Sequence, residues 1–388
     1  MGRPSHGAPA PRTREADVFF ANYIRYGHQK EITRLLEKGR ISEGELVAML
    51  MYTVLGTAYF FLAAVAPAFT GHDAWLAPLM ALIPGFMVAG ISGGLTARFP
   101  GLNLFDWAEV LLGRAGGKIL ACLYVLFSIH ITTIIINEFT SFLMVAFVPL
   151  TPPLVFSIIL LFLTGMAAYG GIEIIARLAT TFLPISIVVS IGMIIMASGL
   201  YDPANLAPFM AKGLTHVLAG SVSPSGLQCE IFIGAMLFPF LKKPGQGGWV
   251  QFRANLWIGL LLLLVSLSII LAFGDEAGRL SLPVFSLARE INLLHFIQHL
   301  ESLVLILWFT GIFLKAAVWE YIIVLGTAQW LNMGSYRPLV LPMGLLLAAL
   351  TNYDVPNVAF LSHFTATVIP WEVMFFALVP PGALLLWP

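Results

Sequence analysis

Hydrophobic residues run through this chain in long blocks separated by short polar breaks, and Met1–Arg40 stands apart as a polar segment. A helix needs roughly 20 apolar residues to cross a bilayer. By that ruler the first half of the chain predicts five spans: Leu46–Pro67, Trp75–Ala97, Ile119–Val148, Leu154–Tyr169 and Leu178–Gly199. The second half predicts five more: Thr215–Leu241, Leu256–Phe273, Leu303–Leu331, Leu339–Leu350 and Val368–Trp387. The third and eighth are long enough to tilt or protrude, and the ninth is short and begins after Pro338. Ser281–His299 reads as an amphipathic surface segment rather than a crossing. In the tail, Ala16–Lys38 fits either a short amphipathic helix or a loosely ordered stretch. The pattern predicts an all-α integral membrane protein: a polar tail, residues 1–40, then a ten-helix domain, residues 41–388.

Two of these spans carry weak points near their middles. In the sixth it is Ser221-Val222-Ser223-Pro224-Ser225-Gly226, and in the first it is Leu55-Gly56-Thr57-Ala58. Proline removes a backbone donor and glycine weakens helix. A break at that depth is tolerable only where protein, water or a ligand satisfies the freed groups. The plainer alternatives are a kink repaired by its own serines and, at Gly-Thr, close helix packing. Interrupted spans five apart have opposite orientations, the pattern of two inverted five-helix repeats with a site between the broken helices. The repeats would be residues 41–200 and 213–388. Exposed N–H groups suit a carboxylate and exposed C=O groups an ammonium, so two facing breaks predict a clasp for an amino acid zwitterion. The expected substrate-binding residues are Leu55, Gly56, Thr57, Ala58, Ser221, Ser223, Pro224, Gly226 and Glu230, and the Ser225 hydroxyl is also available.

Composition agrees with the membrane assignment: 59% hydrophobic and 10% charged residues, with mean hydropathy +0.90, against roughly 25% charged in soluble domains. The balance of 20 basic and 20 acidic residues excludes a globally basic nucleic-acid binder. Loop charge predicts orientation: sixteen Lys and Arg residues fall in the tail and the loops on its side, against Lys212, Arg279 and Arg289 opposite. Both termini are therefore expected in the cytoplasm. Met1–Arg40 has no apolar core of a signal peptide, and no phosphate-binding loop occurs. Cys122 and Cys229 are isolated and read as core residues. No metal, cofactor or nucleophile–base constellation is expected, hence no enzyme.

Charge inside a span needs a reason. Lys315 lies deep in the eighth span, with Glu230, Glu138 and Glu320 as candidate partners. It is either a proton-titrating, cation-substituting group beside the substrate, with Glu138 in the same ion or proton coupling, or half of a register-fixing pair. His130 reads as a hydrogen-bonded packing residue, His295 and His299 as no metal site, and Glu173–Arg177 as a local salt bridge.

Several segments together carry a family resemblance: Leu55-Gly56-Thr57-Ala58 with Gly71-His72-Asp73-Ala74-Trp75, Arg98-Phe99-Pro100-Gly101, Gly171-Ile172-Glu173-Ile174-Ile175-Ala176-Arg177, Pro239-Phe240-Leu241, and Gly326-Thr327-Ala328-Gln329 through Tyr336-Arg337-Pro338-Leu339-Val340-Leu341-Pro342. From Ile41 onward the chain resembles the permease-like B subunit of spore germinant receptors, within the amino acid–polyamine–organocation transporter superfamily. Ala58 stands where that family usually has glycine, and Cys229-Glu230 where Gly-Glu is usual. The resemblance implies the leucine-transporter-like five-plus-five inverted-repeat fold and a small-molecule germinant, typically an amino acid. It also implies two partner receptor subunits in the spore inner membrane. The alternatives are a proton-coupled amino acid transporter, with Lys315 in place of a sodium ion, and an ion-conducting or scaffolding subunit.

Overall fold

The computed structural model describes residues 36–147, 150–210, 212–280, 282–291, 300–353 and 358–387, and these form helices without a named strand. In chain order the α-helices are α1 Glu43–Thr70, α2 Ala77–Arg98, α3 Leu104–Ala146, α4 Pro153–Gly170, α5 Ile172–Met196 and α6 Leu214–Cys229. They continue with α7 Gly247–Phe273, α8 Pro283–Glu290, α9 Glu301–Trp330, α10 Val340–Tyr353, α11 Val358–Thr367 and α12 Ile369–Leu386. Among the described residues, seven helical segments are long and apolar enough to cross a bilayer, namely those of spans two, three, four, five, seven, eight and ten. Of the other spans, the sixth contributes the 16-residue α6 and the ninth the 14-residue α10, both shorter as single helices. The stretch Ala16–Lys38 lies outside the described residues but for its last three, whereas residues 282–291 of Ser281–His299 are described and contain α8, and residues 292–299, with His295 and His299, lie outside.

Local chemistry sets the helix ends. Ser42 and Glu45 close a capping box on α1: Ser42 N donates to Glu45 Oε2 at 2.6 Å, and Glu45 N to Ser42 Oγ at 3.3 Å. Asn103 and Asp106 do the same for α3. Within α3, Gly113 takes φ 78°, a left-handed conformation that glycine tolerates, and divides a short first segment, buried at Leu104–Val110, from the long crossing. Helix α1 is apolar on every side and packs on α5, α6, α7 and α9, which makes it the centre of the bundle.

The expected breaks are not where the proline and glycine placed them. Helix α1 runs unbroken through Leu55–Ala58. Gly56 serves contact instead: a Cβ there would stand 2.7 Å from the backbone oxygen of Gly311 on α9. Helix α6 likewise continues through Ser221–Gly226 with Pro224 inside it, and Ser221 Oγ donates to Leu218 O at 2.7 Å. Gly226 is again a contact residue, since a Cβ would lie 2.3 Å from Pro370 Cα on α12. The departure from α-helix in the sixth span comes one turn later, where Glu230–Met236 tightens into 3₁₀ geometry, followed by a second such turn at Phe238–Phe240. A further interruption, at Val368, separates α11 from α12 and extends the tenth span back to Val358.

The end of the tail is strapped across the bundle. Glu37 Oε2 accepts from Tyr321 OH and Tyr336 OH, each at 3.1 Å, and from Ile172 N at 3.4 Å. Burial first, and then the Glu37 carboxylate, push the Tyr336 phenol above its ordinary pKa. Arg40 N donates to Glu173 Oε1 at 2.9 Å, while Glu173 pairs with Arg177 at 3.0 Å. Ile41 bridges Leu241 in parallel, with Ile41 N donating to Phe240 O and Lys242 N to Ile41 O, both at 2.9 Å. The strap therefore ties the start of α5, the inner part of α9 and the end of the sixth span to one another.

Candidate functional site

The close approach of Gly56 to Gly311 brings α1 against α9 one turn before Lys315. As a result the Lys315 ammonium donates to Thr57 Oγ1 on α1 at 2.8 Å. It also lies 2.9 and 2.8 Å from the two Glu230 oxygens at the end of α6. Lys315 is 1% exposed and Glu230 3% exposed, so their charges are taken from water together, a burial sustained only by mutual pairing. Of the three carboxylates expected as partners, Glu230 is the one engaged. Glu320 instead accepts from Thr164 on α4 at 2.5 Å. Glu138, on α3, has no hydrogen bond to any described residue, yet it borders the same cavity as Thr57, Ser223, Gly226, Glu230 and Lys315.

That cavity measures about 40 Å³, room for two or three waters by the usual minimum of roughly 10–15 Å³ each. Its other walls are apolar apart from the Thr365 hydroxyl: Ile131, Ile134 and Ile135 of α3, Leu227 of α6, and residues on both sides of the α11–α12 interruption, including Ala366 and Pro370. The α3 isoleucines and the tenth-span residues are absent from the sequence-based set. A signal for the latter is present in Val368-Ile369-Pro370, a proline at the junction between the mixed stretch Val358–Thr367 and the apolar run that follows it. The other expected site residues stand back from the cavity. Leu55 and Ala58 are buried in the core, Gly56 abuts α9, Ser221 is turned to Leu218, and Pro224 lies within α6.

The chemistry available differs from two facing helix breaks. With α1 continuous, its backbone N–H groups at Leu55–Ala58 are committed within the helix, and no pair of half-helix ends clasps a zwitterion. The polar groups around the cavity are side chains: the Lys315–Glu230 pair, the hydroxyls of Thr57, Ser223 and Thr365, and the second carboxylate, Glu138. His130 lies apart, 3.4 Å from Glu372 and edge-on to Phe364, in keeping with a packing role. No group of three or more metal-ligating side chains occurs among the described residues.

A family model described as "Spore germination protein" matches residues 40–358. Spore germination protein KB of Bacillus subtilis (strain 168) is 26% identical over 319 residues, 80% of this chain and 84% of that protein. Spore germination protein YndE of the same organism is 21% identical over 286 residues, 71% of this chain and 75% of its own length. Among solved structures, MhsT in complex with L-phenylalanine superposes with TM-score 0.64 at 12% identity, covering 87% of this chain and 88% of that one. Mhp1, a nucleobase-cation-symport-1 family transporter closed around bromovinylhydantoin, gives TM-score 0.63 at 12% identity over 90% and 78%. At that identity the likeness concerns the fold, which is that of leucine-transporter-like proteins.

Proposed function

We propose a function from one premise: the chain belongs to the spore germination protein family. It is a membrane protein of that family with a transporter's fold. We read it as the permease-like subunit of a germinant receptor, which binds a small ammonium-bearing molecule, an amino acid above all, in the cavity between α1, α3, α6, α9 and the tenth span. The observation that carries this reading is the surplus carboxylate. Lys315 and Glu230 pair with each other, and Glu138 borders the same chamber with no hydrogen bond to a described residue. In this reading Glu138 receives the ligand's ammonium, Thr57 and Ser223 offer hydroxyls, and the isoleucines of α3 select a short apolar side chain. Occupancy then favours whichever helix arrangement binds the ligand more tightly. Residues 41–200 and 213–388 serve as the inverted repeats, the tail side faces the cytoplasm, and the other receptor subunits read out the change.

Glu138→Gln keeps the shape and removes the charge. With hydrogen bonds to charged groups at about 1.5–3 kcal/mol, it is expected to weaken binding of a germinant amino acid roughly 10–100-fold. Calorimetry on the purified chain with valine, isobutylamine and isobutyrate checks it. The amine should retain binding and the carboxylate should not; unchanged valine affinity in Glu138→Gln removes the assignment. A second reading, proton-coupled transport, is favoured by Lys315 tying α1 to the sixth span, where a coupling cation would otherwise join them. Amino acid uptake driven by a pH gradient in reconstituted vesicles, abolished in Lys315→Met, would replace sensing with transport.

A further inference from the structure

A second cavity lies between α4 and α10 on the outer face of the bundle, away from the chamber just described. It measures about 430 Å³, within the roughly 300–1,000 Å³ range of small-molecule sites. Its rim is apolar and exposed at Phe162, Met166 and Leu345. Its floor is not apolar. Glu320 of α9 reaches it with no exposed surface of its own. Glu320 Oε2 accepts the Thr164 hydroxyl, whereas Oε1 is buried and accepts from no described group. Two glycines flank that oxygen on the groove side, so that no side chain of theirs covers it: a Cβ at Gly165 would stand 3.3 Å from Oε1 and one at Gly344 would stand 3.7 Å away. Lys315 is spent on Glu230 and Thr57. Arg337 borders the cavity but sits over the Tyr169 ring, 5.5 Å from its centroid. Glu320 is ten residues from Trp330, the end of α9, about 15 Å along the helix at 1.5 Å per residue and too deep for a lipid headgroup.

We propose that this groove binds a lipophilic primary amine that enters from the bilayer, with its ammonium on Glu320 Oε1 and its hydrocarbon along the α4–α10 wall. A buried acceptor with one vacant lone-pair direction calls for a donor, and a carboxylate calls most strongly for a cationic one. The apolar rim supplies the surface that removes the hydrocarbon from competing lipid contacts, and with glycine at 165 and 344 no side chain at those two positions stands between the oxygen and an ammonium once the groove widens to admit it. A neutral alkyl chain would fill the groove but leave Oε1 without a partner, so the head group and not the tail sets the affinity.

The test is thermal unfolding of the full chain in lipid nanodiscs titrated with n-hexylamine or n-hexanol. The expected result is a saturable rise in Tm with hexylamine and a much weaker response to hexanol. The hexylamine response should persist in Glu138→Gln, which disables the central chamber, and its apparent Kd should rise about tenfold or more in Glu320→Gln. Should Glu320→Gln fail to fold, Gly344→Leu, which fills the groove beside Oε1, should abolish the same response. An equal response in Glu320→Gln or Gly344→Leu, equal effects of amine and alcohol, or loss of the response in Glu138→Gln alone would each overturn the proposal. The last of these would also place the amine in the central chamber, in agreement with the sensing role.

Discussion

Lys315→Met is expected to destabilise the protein by about 3–5 kcal/mol, the cost of leaving one member of a buried ion pair without the other. The lysine is enclosed by α1, α9 and the end of the sixth span, and its ammonium is shared between Thr57 and Glu230. Removing it strands the Glu230 carboxylate at 3% exposure. The double variant Lys315→Met/Glu230→Leu removes both charges and should recover most of the loss, because apolar replacements of a buried pair are often neutral or better. Unfolding in mild detergent, followed by tryptophan fluorescence for the two single variants and the double, gives the coupling directly. Additive losses in the double variant would show that the two side chains are not energetically paired, and would deprive Glu138 of its standing as the surplus acid.

Gly56→Leu should cost about 3 kcal/mol, the upper part of the usual range for overpacking, and should also abolish ligand responses. The obstruction is backbone: the first added carbon meets the Gly311 oxygen at 2.7 Å and its carbonyl carbon at 2.9 Å. Neither can swing aside as a side chain would, so α1 and α9 must part, and Thr57 is drawn from Lys315. Gly311→Ala meets Gly56 Cα at 3.0 Å and should be milder than Gly56→Ala. Thermal unfolding of both alanine variants checks that order. Losses below about 0.5 kcal/mol in each, the level of ordinary surface substitutions, would mean that the helices are not in contact there.

Both residues drew attention in the sequence for reasons the structure only partly upholds. The all-helical membrane fold was legible because apolar blocks of bilayer length have few other uses. Lys315 was legible because a charge so far from either end of its span needs a partner. Its choice of Glu230 over Glu138 and Glu320 was not, since all three are carboxylates and the selection depends on how α9 is rotated. Gly56 was ambiguous in kind: glycine permits both unwinding and close approach, and the group that decides is Gly311 on another helix. Pro224 misled because its lost donor is accommodated inside α6, while the change of geometry follows at Glu230. The tenth-span wall of the cavity was not legible because the polar residues of Val358–Thr367 hide the helix that precedes the interruption at Val368. The role of Glu37 was hidden because its phenolic partners, Tyr321 and Tyr336, are nearly three hundred residues away.

The size of the central chamber has a kinetic consequence. At about 40 Å³ it cannot accept a molecule even as small as an amino acid without the surrounding helices first separating. Under the proposed function association is then gated: at high ligand concentration the observed rate is expected to level off at the frequency of opening, instead of climbing in proportion to concentration. A spore equipped with such a detector would have its response time set by the protein's own breathing once nutrient is plentiful, and by diffusion only when nutrient is scarce.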